Sequence, residues 1–376
     1  MVSHKPKDFI YSNPYSVLQK ECCFIVDSDR YFRTLKTLDT FVDRSLELTP
    51  TNQHLSGFNY NLDLLHAALA NTYLETVGTL ADSIHLAIKQ MPASNIYWEY
   101  LKTVEILGTK FQLSNKDVVL AFDYTEEDFY GDVQGFWIYG WTGEHAITGK
   151  FKFLTCAIVN SDIPEKIPLI SIPVHVGHNM AKEVCWCISM IKPLVHSIKL
   201  ILFDRGFYSK ELMLSLTHPE YPYLIFVPKN EKVKKELEQM NESQKKKIQY
   251  HFELNKAKTI IKGETTLAIL KKIFDKRSGK SFDWAFATNQ SEINLDHCIP
   301  TYKWRWRIET GFRIQDEARI MSKSKDARIR FFFFAYEQVL QLLWIVLYKE
   351  EVSFKEFLLE LYEFCLRRNS KSERLL

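Results

Sequence analysis

The chain lacks a net excess of charge and lacks a cysteine framework. Its 376 residues carry 49 Lys and Arg against 46 Asp and Glu, for a formal net charge of +3. A simple polycation is therefore excluded, and any nucleic-acid surface must come from local charge. The seven cysteines form no C-x-x-C pair and no regular spacing, which indicates reduced thiols rather than a disulfide scaffold.

The sequence also has few long apolar runs, and its first residues do not resemble a signal peptide. The first residues, MVSHKPKDFIY, have no apolar stretch of the signal-peptide kind, so the sequence predicts a cytoplasmic protein. The most apolar run is FFFFAYEQVLQLLWIVLY at 331–348, and it contains Glu337, two glutamines and Tyr336. We expect this run to be a buried core helix and expect no membrane partner.

Residues 1–112 are predicted to form a helical N-terminal domain. LDLLHAALANTYLETVGTLADSIHLAIKQM has the apolar spacing of helices, and Pro92 interrupts it before IYWEYLKTVEIL. Helix, break and helix fit a helix-turn-helix that reads DNA ends, and they fit a small helical bundle equally well. The sequence leaves both interpretations open.

From residue 113 onward, short β-branched and aromatic runs alternate with helical ones. The order is three strands, a helix, a strand, a helix and a strand, which predicts an α/β fold with a mixed sheet flanked by helices. The lysine-rich segment 229–282 is predicted to be an insertion on the surface, before a last strand and helix. The predicted catalytic domain is thus 113–228 with 283–350, and a C-terminal helix occupies 351–376.

Three carboxylates stand at informative places in this pattern. Asp123 is predicted to end the first strand, and Asp204 to end the strand after the first crossover helix. Glu309 lies in the helix after the last strand. Side chains at carboxyl ends of sheet strands reach the crevice where α/β sites form. Three carboxylates there suit Mg²⁺ or Mn²⁺, with two ions about 4 Å apart acting on a phosphodiester.

The stretch YKWRWRIETGFR, residues 302–313, surrounds that glutamate with aromatic and basic residues. In a helix, Tyr302, Arg305 and Glu309 fall near one stripe. We expect Glu309 to hold an ion while Tyr302 and Arg305 bind the phosphate, because guanidinium matches phosphate in two places. The plain alternative is a helix with ordinary Arg–Glu pairs and core tryptophans.

Further DNA contacts are expected from basic residues beside these positions. Arg205 follows Asp204 directly. Its position fits a contact with a phosphate and an ion pair with a carboxylate equally well. Lys229 opens the basic segment and is expected to contact phosphate. Arg313 adds a cation one turn beyond Glu309. Trp284 can stack on an unpaired base or pack in the core.

These residues resemble the DDE transposases of bacterial or archaeal insertion sequences, which have a ribonuclease-H-like catalytic domain. Tyr302, Arg305 and Glu309 match the first three positions of the Tyr-x2-Arg-x3-Glu-x6-Lys helix signature. FDRGFYSK matches the context of the second aspartate, and AFDYTEEDFYGD resembles that of the first. The resemblance implies Asp123, Asp204 and Glu309 as catalytic metal ligands and covers residues 115–348.

One position departs from the signature. The lysine expected seven residues after the glutamate is Asp316 here, with Arg313 and Arg319 nearby to supply the charge. If neither does, binding of the DNA end is weakened, or the chain is a decayed or repurposed copy.

The resemblance further implies cut-and-paste transposition with Mg²⁺ or Mn²⁺, acting on terminal inverted repeats and target DNA. It also implies a homodimer on double-stranded DNA, in the cytoplasm at the nucleoid. Two alternatives remain: a metal-dependent nuclease of the same fold without strand transfer, and a catalytically inactive DNA-binding protein derived from a transposase.

Overall fold

The computed structural model describes residues 14–48, 56–143, 146–256 and 259–373, and within them a large mixed sheet carries helices. The ends of the predicted N-terminal and C-terminal segments, 1–13 and 374–376, lie outside the described residues. The helices are α1 (Pro14–Ser45), α2 (Gly57–Ala70), α3 (Leu74–Val77), α4 (Ala81–Gln90), α5 (Ala93–Gly108), α6 (Met180–Ile191), α7 (Lys210–Ser215), α8 (Glu231–Glu238), α9 (Leu295–Tyr302), α10 (Trp306–Gln315), α11 (Ala327–Leu347) and α12 (Phe354–Glu373). The strands are β1 (Asp117–Phe129), β2 (Tyr139–Gly140), β3 (Gly149–Ile158), β4 (Ile167–Val174), β5 (Ser197–Phe203), β6 (Tyr223–Phe226), β7 (Lys245–Lys256), β8 (Thr259–Asp275) and β9 (Lys280–Thr288).

The sheet is mixed, as predicted. Its spatial order is β2-β3-β1-β5-β6-β9-β8-β7, and β4 also pairs with β3. The β1–β5 and β5–β6 pairs are parallel, whereas the pairs on either side of this centre are antiparallel. The two parallel pairs bring the carboxyl ends of β1, β5 and β6 to one edge of the sheet. The predicted α/β fold with a mixed, helix-flanked sheet is confirmed.

The lysine-rich segment joins this sheet. Strand β9 pairs with β6, β8 pairs with β9, and β7 closes the series. Six consecutive residues of β8, from Thr265 to Leu270, are buried, while the residues before them are mostly exposed and those after them alternate between partly buried and exposed. The insertion thus has a buried apolar centre beneath its charged surface, and its boundaries stay a prediction.

The N-terminal helices pack against the sheet and against the C-terminal helices. The break at Met91–Pro92 separates α4 from α5, because proline lacks the N–H that a continuing helix needs. On α5 the buried Tyr100 hydroxyl donates to the Pro168 carbonyl of β4 at 3.1 Å. This fixes the helical region to the sheet on the β4 side.

The apolar run 331–348 lies largely in α11, the central helix of the core. Its length and composition would suffice to cross a membrane, but 89% of its most apolar window is buried inside the protein. Phe334 stacks on Phe153 of β3 at 4.4 Å between ring centroids, and the Gln338 amide oxygen accepts from Ser171 at 2.8 Å. The predicted core helix is confirmed by this burial.

Candidate active site

The two aspartates lie side by side on neighbouring parallel strands. Phe122 of β1 is paired with Phe203 of β5, and this is the last pair between the strands. Asp123 and Asp204 directly follow this pair, so they lie at the same edge of the sheet. The structure therefore brings the two sequence-predicted acids together.

The position of Asp123 within its strand differs from the prediction. β1 does not end at Asp123 but runs on to Phe129, antiparallel to β3, with Asp123 opposite Thr155. The second half of β1, after Asp123, carries charged side chains that pair with lysines of the neighbouring strand. Glu126 pairs with Lys152 at 2.7 Å and with Lys150 at 3.0 Å on β3. Cross-strand ion pairs of this kind hold an otherwise polar segment in a strand.

Helix α10 carries Glu309 in its first turn, and several contacts hold that helix over the sheet. Arg307 donates to the carbonyls of Val159, Ile163 and Pro164 at 3.3, 2.6 and 2.9 Å. Further along the helix, the Gln341 amide of α11 donates to the Gly311 carbonyl at 2.9 Å. These contacts lie on both sides of Glu309 in the sequence, so its place is set by the fold.

Arg305 joins the acids. It is 5% exposed, and its Nη1 donates to Asp123 Oδ2 at 2.8 Å while its Nη2 donates to Glu309 Oε1 at 2.6 Å. The Arg305 Nε is buried and has no hydrogen-bond partner. The charge of Arg305 thus compensates two carboxylates, and one of its donors remains unused.

Burial and mutual repulsion shape the protonation of this cluster. Burial raises the pKa of Asp123 to about 6, with the charges of Asp204 and Glu309 adding to the rise and Arg305 opposing it. Burial alone lowers the pKa of Arg305, but the nearby carboxylates outweigh it and the net pKa is raised. The guanidinium is therefore charged at every physiological pH, and the charges of Asp204 and Glu309 disfavour the charged form of Asp123.

Tyr302 faces the second aspartate from inside the core. It is 2% exposed, and its hydroxyl lies 3.5 Å from Asp204 Oδ1. Its ring packs against Phe286 and Phe226, at 5.1 and 5.6 Å between centroids. In this arrangement Tyr302 positions Asp204 and does not present its ring to solvent.

Arg205, Lys229 and Trp284 line one cleft of about 300 Å³ beside Asp204. Arg205 is exposed, and its backbone N–H donates to Asp204 Oδ1 at 2.6 Å. Lys229 pairs with Asp283 at 2.9 Å. Three residues that the sequence suggested separately therefore share one surface. The fifth predicted DNA contact, Arg313, is exposed near the end of α10.

The carboxylate set fits a hard divalent cation in chemistry. Carboxylate oxygens are the ligands that Mg²⁺ and Mn²⁺ prefer, and a positive charge already sits among the three acids in the form of Arg305. In the part of the chain that the structure describes, no three His, Cys, Asp or Glu side chains are arranged to hold an ion as they stand. The ligand roles of Asp123, Asp204 and Glu309 stay a prediction.

Sequence reasoning missed two roles within the stretch 302–313. It assigns Arg305 to a phosphate, with an ordinary Arg–Glu pair as the alternative, and does not anticipate the bond from Arg305 to Asp123. The i, i+4 spacing signals the pair with Glu309, but no local pattern signals the partner on β1. It also assigned nothing to Arg307, whose three carbonyl partners lie about 150 residues away in sequence. Partners at that distance leave no local pattern.

Comparison with known proteins gives a family match and a similar fold. Residues 178–341 match a family model described as the transposase DDE domain, which includes Asp204 and Glu309. The fold is similar to a piggyBac transposase seen by cryo-EM in a synaptic complex with hairpin DNA. That likeness has 12% identity and a TM-score of 0.53, and it covers 92% of this chain and 81% of that chain. No curated protein matches the sequence. The domain match covers residues 178–341, and the structural likeness shows a shared fold.

Proposed function

We propose that the chain is a transposase that cleaves DNA at the ends of an insertion sequence and joins them to target DNA. The observation that carries this proposal is the placement of Asp123 and Asp204 at one register of parallel strands, with Glu309 linked to Asp123 through Arg305. The match to a transposase DDE domain supports it.

In this proposal the three acids are the ligands of one or two Mg²⁺ or Mn²⁺ ions. Such ions supply activation of the attacking oxygen and stabilisation of the leaving oxygen at a phosphodiester. Tyr302 orients Asp204, and Arg307 keeps α10 in place. Arg305 neutralises the acids before substrate binds and turns its unused donor, Nε, towards a phosphate when one arrives.

The DNA partners follow from the same proposal. We assign the cleft of Arg205, Lys229 and Trp284 to the strand next to the reacting phosphate, with Arg313 as a further contact. Terminal inverted repeats and target DNA are the substrates, and a homodimer on double-stranded DNA is the expected assembly. Such a protein acts in the cytoplasm at the nucleoid.

The test uses single isosteric variants of each acid. With Mg²⁺ and a duplex made from the inverted repeat that flanks the gene, Asp123→Asn, Asp204→Asn and Glu309→Gln should each abolish cleavage and leave DNA binding within about threefold. Glu317→Gln removes an exposed carboxylate near the end of the same helical stretch and serves as the matched control. Cleavage retained by any of the three acid variants removes that residue from the site.

A pre-cleaved end with a free 3′-hydroxyl, mixed with target DNA, separates the enzyme classes. Joined products support the transposase, whereas hydrolysis without joining supports a nuclease of the same fold. Asp316 at the expected lysine is the observation that favours an inactive DNA-binding protein. That function predicts DNA binding with no metal-dependent cleavage in the unaltered chain.

A further inference from the structure

A second cleft, of about 840 Å³, opens where the N-terminal helices meet the far end of β1. The residues that matter here come from three regions: Tyr73 after α2, Tyr130 after β1, and the segment between α10 and α11. Four cations of that segment and of α11 line the cleft: Arg319, Lys323, Lys325 and Arg330. Nothing in the proposed cleavage chemistry uses this cleft.

The segment Met321–Lys325 lies along the cleft and presents alternate residues to solvent. Met321 forms a bridge with Tyr73, and its N–H donates to the Thr72 carbonyl at 3.0 Å. Met321, Lys323 and Lys325 are exposed, whereas the two serines between them are partly buried. In an extended chain, residues two apart are about 7 Å apart on one face. The two lysines therefore form a short row on the rim of the cleft.

Arg330 fixes the backbone of that row from beneath. It is 3% exposed, and it donates to the carbonyls of Ser322 and Ser324 at 2.9 and 2.8 Å. It also pairs with the buried Glu127 at 3.0 Å, so its charge is compensated inside the protein. A buried arginine whose charge is already paired with Glu127 therefore holds the backbone of the row.

The two lysines on the rim have no acidic partner in the described part of the chain. Across the described residues, Lys323, Lys325 and Arg319 make no ion pair within 4.0 Å. The Lys323 ammonium lies 4.7 Å from the centroid of the Tyr73 ring, and Tyr130 is 65% exposed. Two acids besides Glu127 line the cleft, Asp128 and Asp316, and Arg319 is the charged neighbour of Asp316.

We propose that Lys323 and Lys325, with Arg319, form a binding strip for the phosphate backbone of DNA. Two unpaired lysines in a row, with aromatic rings beside them, suit a strand of regularly spaced phosphates, and Arg319 adds a third cation in the same cleft. The strip supplies the charge that Asp316 removes from the signature position. This inference rests on the proposed function, since it extends the DNA path from the acidic site.

The cleft that the strip borders lies well away from Asp123 along β1. Asp123 and the cleft residues Glu127 to Phe129 are four to six positions apart on β1, which is about 13 to 20 Å. A DNA duplex rises 3.4 Å per base pair. A duplex that binds both the acidic site and this cleft therefore meets the cleft about four to six base pairs from the reacting phosphate. The strip thus binds DNA without touching the reacting phosphate.

The experiment measures the salt dependence of binding to a fluorescein-labelled, blunt-ended duplex of arbitrary sequence, in EDTA. The double variant Lys323→Ala/Lys325→Ala should lower the slope of log K against log salt by about 2, since each lost phosphate contact removes about 0.9. The variant Lys323→Arg/Lys325→Arg should keep the slope. A wild-type slope in a folded alanine variant overturns the strip.

The matched control is Lys36→Ala/Lys110→Ala, which removes two exposed lysines of the N-terminal helical region that make no ion pair within the described residues. It should leave the slope unchanged, and an equal loss there would mean that any two lysines suffice, which overturns the strip. The same protein samples keep the two proposals apart. Cleavage that survives Asp123→Asn defeats the proposed function, whereas an unchanged slope with acid-dependent cleavage defeats only the strip.

Discussion

Two buried arginines, Arg305 and Arg330, each bind an acid of strand β1, and the difference between them separates a functional contact from a structural one. Arg330 pairs with Glu127 and also donates to carbonyls, so each of its nitrogens has a partner. Arg305 pairs with Asp123 and Glu309, and its Nε has none. The partners differ as well, because Glu127 is buried, whereas the Glu309 side chain is 53% exposed.

This contrast indicates what each arginine can do. Moving Arg330 would leave the Glu127 carboxyl buried without its cation, where burial raises its pKa, and would free three backbone carbonyls. Moving Arg305 exposes Glu309 to water, and Asp123 can take a proton because its pKa is near 6. In the proposed function Arg305 is therefore the arginine that changes partners when substrate arrives, whereas Arg330 holds the fold.

The largest expected effect is that of Arg330→Met. Removing one member of a buried ion pair leaves the other uncompensated, which costs about 3 to 5 kcal/mol of the free energy of unfolding. Urea denaturation followed by circular dichroism measures this. The double variant Arg330→Met/Glu127→Gln should recover part of the loss, because no buried charge then remains. A loss under about 1 kcal/mol for the single variant would contradict a structural role.

Arg305→Met is expected to be milder for stability and severe for function. We expect a loss of about 1 to 2 kcal/mol, because one partner is exposed and the other can be protonated. Cleavage of the DNA end should be lost. Arg305→Lys keeps the charge but lacks the fork that reaches two carboxylates, so it should restore stability more than cleavage. A loss of stability as large as that of Arg330→Met would erase the contrast.

Glu337 of α11 gives a prediction on pH. It accepts from the Ile320 N–H at 2.7 Å and from Gln315 at 3.1 Å, and burial raises its pKa well above 4.5. The folded state therefore keeps its proton after the unfolded state has lost it, so this contribution to stability is full below pH 4.5 and falls as pH rises. Glu337→Gln has no proton to lose. Its free energy of unfolding, relative to the wild type, should rise between pH 4 and pH 8, and a constant difference would contradict this.

The smallest effect is expected for Lys303→Ala. Lys303 pairs with Asp275 at 2.8 Å, at a third of full exposure for the lysine side chain. Exposed ion pairs contribute about 0 to 1 kcal/mol, so we expect a change at the low end of that range. The variant removes a cation two residues from Arg305 and therefore shows whether charge alone, rather than the buried bridge, explains the loss in Arg305→Met. A loss equal to that of Arg305→Met would favour charge alone.

Much of the sheet could be predicted because its central strands are short apolar runs. VVLAF and LILF are continuous apolar runs bounded by polar residues, which is typical of strands covered on both faces. The far half of β1 could not be predicted in this way. Its sequence TEEDF reads as a loop until Lys150 and Lys152 are placed opposite it, and only the folded sheet does that.

The candidate site divides in the same manner. Asp204 and Glu309 could be found from local context, since each sits in a distinctive short motif. The bridging role of Arg305 could not, because a helix of this composition offers several arginines and their partners depend on how α10 docks. Likewise Lys323 and Lys325 are ordinary surface lysines in the sequence, and only the buried Arg330 shows that their backbone is fixed.

The position of α11 along the chain has a consequence for synthesis. Partners that cover this apolar helix include Phe41, Asn61, Phe153 and Ser171, and all of them precede residue 327. They leave the ribosome first, so the helix finds its binding surface as it emerges and spends little time uncovered. A circular permutant beginning near residue 320 would reverse this order, expose the helix before its cover exists, and aggregate during expression.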